Sequence, residues 1–328
     1  MYRQNRRLFL AYTCTTAALF VAGTAGVLAQ SEYPTRTVKI VVPLAAGGVA
    51  DIVPRMVAEK LAARWGQPVV VENRPGAGHN TGAEAVAKAE PDAYTLFATP
   101  SGPLVTSQLL YAKLPFDPDA FVPITILTTG HIVLIVNPKV PASSLSELVA
   151  YAKANPGRLT YASPGIGTSP HLTGEMLNAA AGIQTTHVPY KGLGPAVVDL
   201  LAGHVDMMFD NLGNSFQHVQ NGTLRAIGVA GAARVPELPD VPAVAETYHG
   251  FESRSWFALV APPNTPPALA AKISQAVGEI FQQPDVVAKL RALSLTPVGT
   301  SPAETAAYIK REAARWREAI GTTLIRPN

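Results

Sequence analysis

VKIVVPLAAGGVADIVPRMVAEKLAARWGQPVVVEN, residues 38–73, is the stretch from which the fold can be read. It opens on a short apolar run rich in β-branched residues, Val38–Leu44, which reads as a buried strand. In the segment that follows, Val53, Met56, Val57 and Leu61 recur at helical spacing, and Gly66 supplies a C-terminal stop. Pro68–Asn73 is a second strand. A helix near Thr81–Lys88 and a third strand, Thr95–Thr99, complete β-α-β-α-β. Strands joined through helices are parallel, with right-handed crossovers.

The pattern then restarts. Strands are read at His131–Pro138, Leu159–Ser163, Thr186–Tyr190 and Asp206–Asn211. Helices are read near Leu145–Asn155, Leu172–Ala180 and Ala196–Ala202. No hairpin-turn signal appears, which favours parallel strands. Phe121–Gly130, Ala226–Gly231 and Ser255–Pro262 flank proline-rich stretches and are read as crossovers. The expected class is therefore α/β with two lobes. Each lobe has a central, mainly parallel sheet flanked by helices, and crossover strands link the two. One lobe is expected over residues 31–125 plus 232–328, the other over 126–231.

The N-terminus carries Arg3, Arg6 and Arg7, then an apolar run, then the small-residue site Val27-Leu28-Ala29. Residues 1–29 read as a cleavable export signal with Gln30 as the first mature residue. Arg6–Leu10 also fits a twin-arginine signal, so Sec and twin-arginine export both stay open. The mature chain is expected in the periplasm. The signal holds three arginines and no acid, so the 26 basic and 23 acidic residues of the whole chain become 23 of each without it. A near-neutral chain argues against a nucleic-acid or anionic-membrane face. The only cysteine, Cys14, lies in the signal, which excludes mature disulfides and Cys-based metal sites.

Chemistry is expected in the loops that follow strands, because ligands of open α/β sheets bind where helix N-termini present free N–H groups. Three loops stand out: Leu44–Asp51, Ser163–His171 and Pro189–Pro195. Gly47 and Gly48 allow close backbone approach, and Asp51 reads as a helix N-cap with Pro54 at N3. Ser169-Pro170 and Gly194-Pro195 read as helix openings. An anion held there needs no arginine.

Enzyme signatures fail. Neither Ser163 nor Ser169 sits in G-x-S-x-G, and Ser169 and His171 are too close on one turn to form a nucleophile–base pair. Gly165–Pro170 and Gly76–Gly82 miss the dinucleotide spacing, and a P-loop lysine is absent. His171 and Glu175 are i, i+4 without H-E-x-x-H, so no metal and no cofactor is expected. Asp210 and Asn211 end a strand, where a cleft position is plausible. Trp256, Phe257 and Trp316 read as packing, and His187 as structural.

Seven stretches in order carry a family resemblance: YPTRTVKIVVPLAAGGVAD, QPVVVENRPGAG, LPFDP, YAKANPGRLTYASPGIGTSPHLTGE, HVPYKGLGPAVVDLLAGHVDMMF, LPDVPAVAE and PVGTSPAE. On these the chain resembles the Bug proteins, the TctC-type extracytoplasmic solute receptors of tripartite tricarboxylate transporters. The resemblance implies a type II periplasmic binding protein fold that closes over a small carboxylate and delivers it to membrane transporter subunits. It implies no enzyme activity and a monomer. By position it implies ligand-binding roles for Ala46, Gly47, Gly48 and Asp51, for Ser101 and Gly102 in a variable loop, and for Ser163, Gly165, Gly167, Thr168 and His171. Tyr190 and Lys191 lie in the next turn, and Asp210 joins them from the strand reading. Leu44, Ala50, Ala93 and Ser107 depart from the family pattern, where an aromatic, a Ser or Thr, a Gly and an Asn are usual. Two rivals stay open: a sensor for a signalling partner, and an exported enzyme.

Overall fold

The computed structural model describes residues 33–321; the export signal expected at residues 1–29 lies outside them. The opening unit forms in the order expected: β1 (Val38–Val42), α1 (Val49–Trp65), β2 (Val69–Asn73), α2 (Asn80–Ala87) and β3 (Thr95–Pro100). β1 lies between β2 and β3, parallel to both. A short α3 (Ser107–Leu110) leads to β4 (Val122–Val136), which runs for 15 residues. α4 (Leu145–Ala154), β5 (Thr160–Ser163), α5 (Ser169–Ala181), β6 (Thr186–Pro189), α6 (Leu193–Ala202) and β7 (Met207–Asn211) follow. β5 sits between β6 and β7, again parallel to both. α7 (Leu212–Gln220), β8 (Arg225–Val229), β9 (Arg254–Ala261), α8 (Pro267–Ile280), α9 (Pro284–Ala292), β10 (Leu295–Pro297) and α10 (Pro302–Gly321) complete the chain.

The strand order is β2-β1-β3-β9-β4-β7-β5-β6, with β8 and β10 each paired to β4. Phe121–Gly130 and His131–Pro138, read as separate strands, are almost entirely one: β4 pairs with β9 as far as His131 and with β7 from Ile132 onward. Five antiparallel pairings meet at β4 and β9, so the parallel reading holds for the outer three strands of each half and not for the middle. β8 is not a crossover. Its strand pairing is with β4 alone, at Val133–Val136. β4 is long enough to serve both halves, so only β9 is needed beside it.

The apolar pattern of β4 explains its place. Ile132, Leu134 and Val136 face one core cluster while Val133 and Ile135 face another. All five are fully buried. A strand covered on both faces reads as a continuous apolar run rather than an alternation. Burying each such side chain stabilises by about 1.5–3 kcal/mol. In the other half, Trp316 of α10 packs with Phe97 and Trp256, which anchors the last helix to the first half of the sheet.

Candidate functional site

The loop after β1 is built around Asp51. α1 starts at Val49 with Gly48 as its N-cap, three residues earlier than expected, so Asp51 is N3 and Pro54 lies inside the helix. The glycines make this possible: Gly47 adopts φ +106°, and its N–H donates to Asp51 Oδ2 at 3.1 Å. Arg55 Nε donates to the same oxygen at 2.9 Å, and Asn73 Nδ2 donates to Oδ1 at 2.8 Å. Asn73 Nδ2 also reaches the Leu44 carbonyl at 2.8 Å, which pins the start of the loop. Burial raises the Asp51 pKa, but the hydrogen bonds from Arg55, Asn73 and Gly47 outweigh it, and the carboxyl sits below its ordinary value. Asp51 is 3% exposed and fully engaged, so it shapes the loop.

The loop after β5 is built around histidines. α5 starts at Ser169 with Thr168 as its N-cap, one residue before the expected cap. Thr168 Oγ1 donates to the Gly165 carbonyl at 2.8 Å, and the Gly167 N–H donates to His171 Nδ1 at 3.1 Å. Ser163 Oγ accepts from the Gly165 N–H at 3.2 Å and shares a 2.7 Å hydrogen bond with His187 Nε2. The His171 and His187 rings stack at 4.0 Å, with Tyr161 on the His187 ring at 4.8 Å. Burial lowers the His171 pKa to about 4, and burial followed by the neighbouring His171 lowers that of His187 to about 3. Both rings are neutral near pH 7; His171 Nδ1 accepts from Gly167, and the two rings pack face to face. α6 likewise opens early, with Gly192 as N-cap and Pro195 at N3.

The loop before α5 is tied to the segment after β3, and the start of α1 is tied to α7. Ser101 Oγ and Ser169 Oγ lie 3.0 Å apart, and Thr106 Oγ1 donates to the Gly167 carbonyl at 2.9 Å. Asn214 Oδ1 of α7 accepts from the Val49 N–H at 3.3 Å, so a residue of one half caps a helix of the other. Gly213 approaches so closely that a Cβ there would sit 1.9 Å from the Leu293 carbonyl oxygen. Gly102 is buried, and its missing side chain leaves room for His79 Nδ1, 3.4 Å from where a Cβ would be.

These ties frame a cleft of about 490 Å³. Ala46, Gly47, Gly48 and Asp51 line it from one side, and Pro164, Gly192, Leu193, Asp210, Asn211 and Asn214 from the other. A smaller pocket of about 50 Å³ is lined by Thr168, Ser169 and Pro170 at the start of α5 together with His79, Trp256 and Phe257. Leu44, Ala50, Pro164 and Asn211 line both. Ser101, Gly102, Ser163, Gly165, Gly167 and His171 lie behind this surface as its support. Two candidates are placed elsewhere. The Tyr190 hydroxyl donates to Asp199 Oδ2 at 2.6 Å, and Lys191 is exposed. No lysine or arginine lines the cleft or the pocket. Asp210 is 1% exposed and accepts from the Asn211 N–H, Asn214 Nδ2 and Ser215 Oγ. Burial nevertheless raises its pKa to about 6.

Several lining residues carried no sequence signal. His79 follows Gly78 in Gly76–Gly82, a stretch that misses the dinucleotide spacing. Ala77, Gly78 and His79 all have positive φ, +46°, +59° and +81°, a strained run of the kind that gathers at functional sites. Ser255 reads as the start of a crossover, Asn214 lies outside every element read from the sequence, and Leu193 falls in the Pro189–Pro195 loop with no role of its own. Trp256 and Phe257 do pack, as expected, and also face the pocket.

The family described as tripartite tricarboxylate transporter family receptor, TctC, matches residues 53–324. The chain belongs to this family. It is 36% identical over 305 residues to Protein BugT of Bordetella pertussis, across 92% of this chain and 94% of that protein, so the relation spans both halves. Among solved structures, an R. palustris protein with adipate matches with TM-score 0.85 and 33% identity, over 88% of this chain and 98% of that one. MatC from Rhodopseudomonas palustris with bound malate matches with TM-score 0.82 and 34% identity, over 88% and 100%. The two-lobe architecture is the type II periplasmic binding protein fold.

Proposed function

We propose that this protein is a periplasmic receptor that captures a small carboxylate between two lobes, closes over it, and presents it to the membrane subunits of a tripartite tricarboxylate-type transporter. The lobes are residues 31–125 plus 232–328 and residues 126–231, hinged on β4 and β9. The observation that carries this reading is the convergence of the glycine loops before α1 and α6 on one cleft, with the start of α5 lining the smaller pocket beside it. Helix N-termini and glycine amides stabilise an anion without a lysine or arginine, through hydrogen bonds worth about 1.5–3 kcal/mol each. The adipate and malate bound by two relatives are anions of this kind.

The ligand leaves the cleft unchanged. The one serine–histidine pair of the second loop, Ser163 with His187, is unsuited to attack: Ser163 is fully buried and its hydroxyl is engaged with Gly165. Closure is a hinge motion that brings Ser101 to Ser169 and Val49 to Asn214. The expected affinity is micromolar, about −8 kcal/mol.

The test is a thermal-shift screen of the purified protein against mono-, di- and tricarboxylates, with Thr168→Ala in parallel. A ligand that binds only the folded state raises the melting temperature as its concentration grows. A saturable rise with one carboxylate class, reduced in Thr168→Ala, is the expected result. No rise with any carboxylate, in protein shown free of co-purified ligand, overturns the reading.

A further inference from the structure

The start of α1 is capped from across the larger cleft. Gly48, its N-cap, has no side chain to offer, and the first N–H groups of a helix have no partner within it. The Val49 N–H finds one in Asn214 Oδ1, 3.3 Å away on α7. The backbones meet closely at the same place. A Cβ on Gly213 would lie 1.9 Å from the Leu293 carbonyl oxygen and 3.3 Å from Val49 Cγ1, and one on Gly48 would lie 3.8 Å from Leu193 Cδ2. Gly48, Val49 and Leu293 belong to one of the two lobes proposed above, whereas Leu193, Gly213 and Asn214 belong to the other. All six line the larger cleft.

The direction of the Asn214 amide is set from behind. Its Nδ2 donates to Asp210 Oδ1 at 3.1 Å. Asp210 also takes the Asn211 N–H at 2.7 Å on the same oxygen and the Ser215 hydroxyl at 2.5 Å on the other. Burial raises the Asp210 pKa only to about 6, so near pH 7 the carboxyl is ionised and accepts without donating. With its nitrogen held on Asp210, Asn214 turns its oxygen to Val49. Reversed, the amide would set donor against donor and acceptor against acceptor. Ser101 with Ser169, and Thr106 with the Gly167 carbonyl, also bridge the lobes, but through hydroxyls, which rotate to suit a partner. We infer that Asn214 is a latch that holds the receptor closed, and that Asp210 is the residue that positions it. This rests on the hinge closure proposed above and adds the bond that secures the closed form. Opening breaks the cap on α1, so the latch slows release of whatever the cleft holds.

The test measures closed and open molecules directly. Residues 30–328 contain no cysteine, so Glu59→Cys on α1 and Val198→Cys on α6, both exposed, take one spin label each. Double electron–electron resonance reads the distance between the labels, without ligand and with adipate or malate. Val49→Pro removes the N–H donor, and proline suits the first position of a helix. Asn214→Ala removes the acceptor. Each should lower the closed-to-open ratio about tenfold, and the double variant no further, because both break one bond. Asn214→Asp sets a second carboxylate against Asp210 and should lower the ratio by at least about tenfold. Adding Asp210→Asn to it sets a donor facing an acceptor again, and should return the ratio to within about threefold of the starting protein. Melting temperatures show which variants keep the fold, and either single variant carries the test if the other does not. A ratio unchanged in both single variants, effects that multiply in the double variant, or no closed population with or without ligand overturns the latch. Failure of Asp210→Asn to restore the ratio overturns the role of Asp210. If the variants open the protein but neither acid moves the distances, the latch stands and the result counts against the carboxylate reading.

Discussion

The loop before α1 lines the larger cleft and the loop before α5 lines the smaller pocket beside it, and the two are held in opposite ways. The first hangs on a carboxylate: Asp51 takes the Gly47 N–H, Arg55 and Asn73. The second hangs on neutral rings: His171 takes the Gly167 N–H, and His187 braces Ser163. A charge can serve the first loop because Arg55 stands beside it. The second loop is packed against Tyr161 and uses a neutral ring as its acceptor, which avoids the cost of burying a charge. Two helix openings that look alike in sequence therefore respond differently to pH and to mutation.

The largest expected effect is on the meeting of the loops. Gly213→Ala places a Cβ against the Leu293 carbonyl and forces α7 away from α9. Ligand affinity should fall by about a hundredfold, near 3 kcal/mol, with a smaller change in the melting temperature of the ligand-free protein. If calorimetry shows affinity unchanged, the two loops do not depend on this contact. Next comes Asp51→Ala, expected to destabilise by about 2–3 kcal/mol in denaturant titration. Most of that loss is the Gly47 N–H and the Asn73 amide left without their acceptor. The Arg55 ion pair adds little because its guanidinium is half exposed. His171→Phe keeps the stack but removes the acceptor for Gly167, and should destabilise by about 1–2 kcal/mol.

The pH dependence separates the loops most directly. The folded-state pKa values of His171 and His187, about 4 and about 3, lie below the ordinary 6.5. The unfolded chain takes up these protons first, so stability is complete above pH 6.5 and is lost as pH falls toward 4. His79 and His131 are lowered in the same direction. Asp210 opposes them: with a folded pKa of about 6, it favours the folded chain as pH falls from 6 toward its ordinary 3.8. Four histidines outweigh one aspartate, and a loss of at least about 2 kcal/mol between pH 7 and pH 4 is expected. Asp51 is lowered, so the first loop keeps its contribution until pH falls below its ordinary 3.8. Unfolding curves across this range should flatten in His171→Phe and keep their slope in Asp51→Ala; the reverse pattern would contradict the division between charged and neutral anchors. The smallest effect is a control outside both loops. Ala93 adopts φ +63° where the family pattern has glycine, so Ala93→Gly should stabilise by up to about 1 kcal/mol.

Much of the fold was legible because periodicity reports burial. The runs at Val38, Val69 and Thr95, and those at Thr160, Thr186 and Met207, all became parallel strands, and the helices between them lie within a few residues of their expected bounds. The middle of the sheet was not legible. Phe121–Gly130 and His131–Pro138 read as separate strands although no turn divides them, because a 15-residue strand is far from the common length. Strand direction at β4 and β9 depends on which distant partner each meets, and an apolar run carries no sign of it.

The same boundary runs through the site. By itself the sequence determined that glycine loops open helices after β1 and β5, since only residues without side chains or with capping groups suit those turns. It also determined that Ala46, Gly47, Gly48, Asp51 and Thr168 would stand at the passage from a strand to the helix that follows it, and Asp210 near the end of a strand. Tertiary structure alone decided that Tyr190 turns to Asp199, that Ser163 and His171 brace the loop from behind, and that His79, Asn211 and Ser255 share a pocket. Strand and helix signals are local, written within a few turns of chain. The pocket joins residues 79, 211 and 255, and their meeting follows from the packing of the two halves about β4 and β9, which no local pattern encodes.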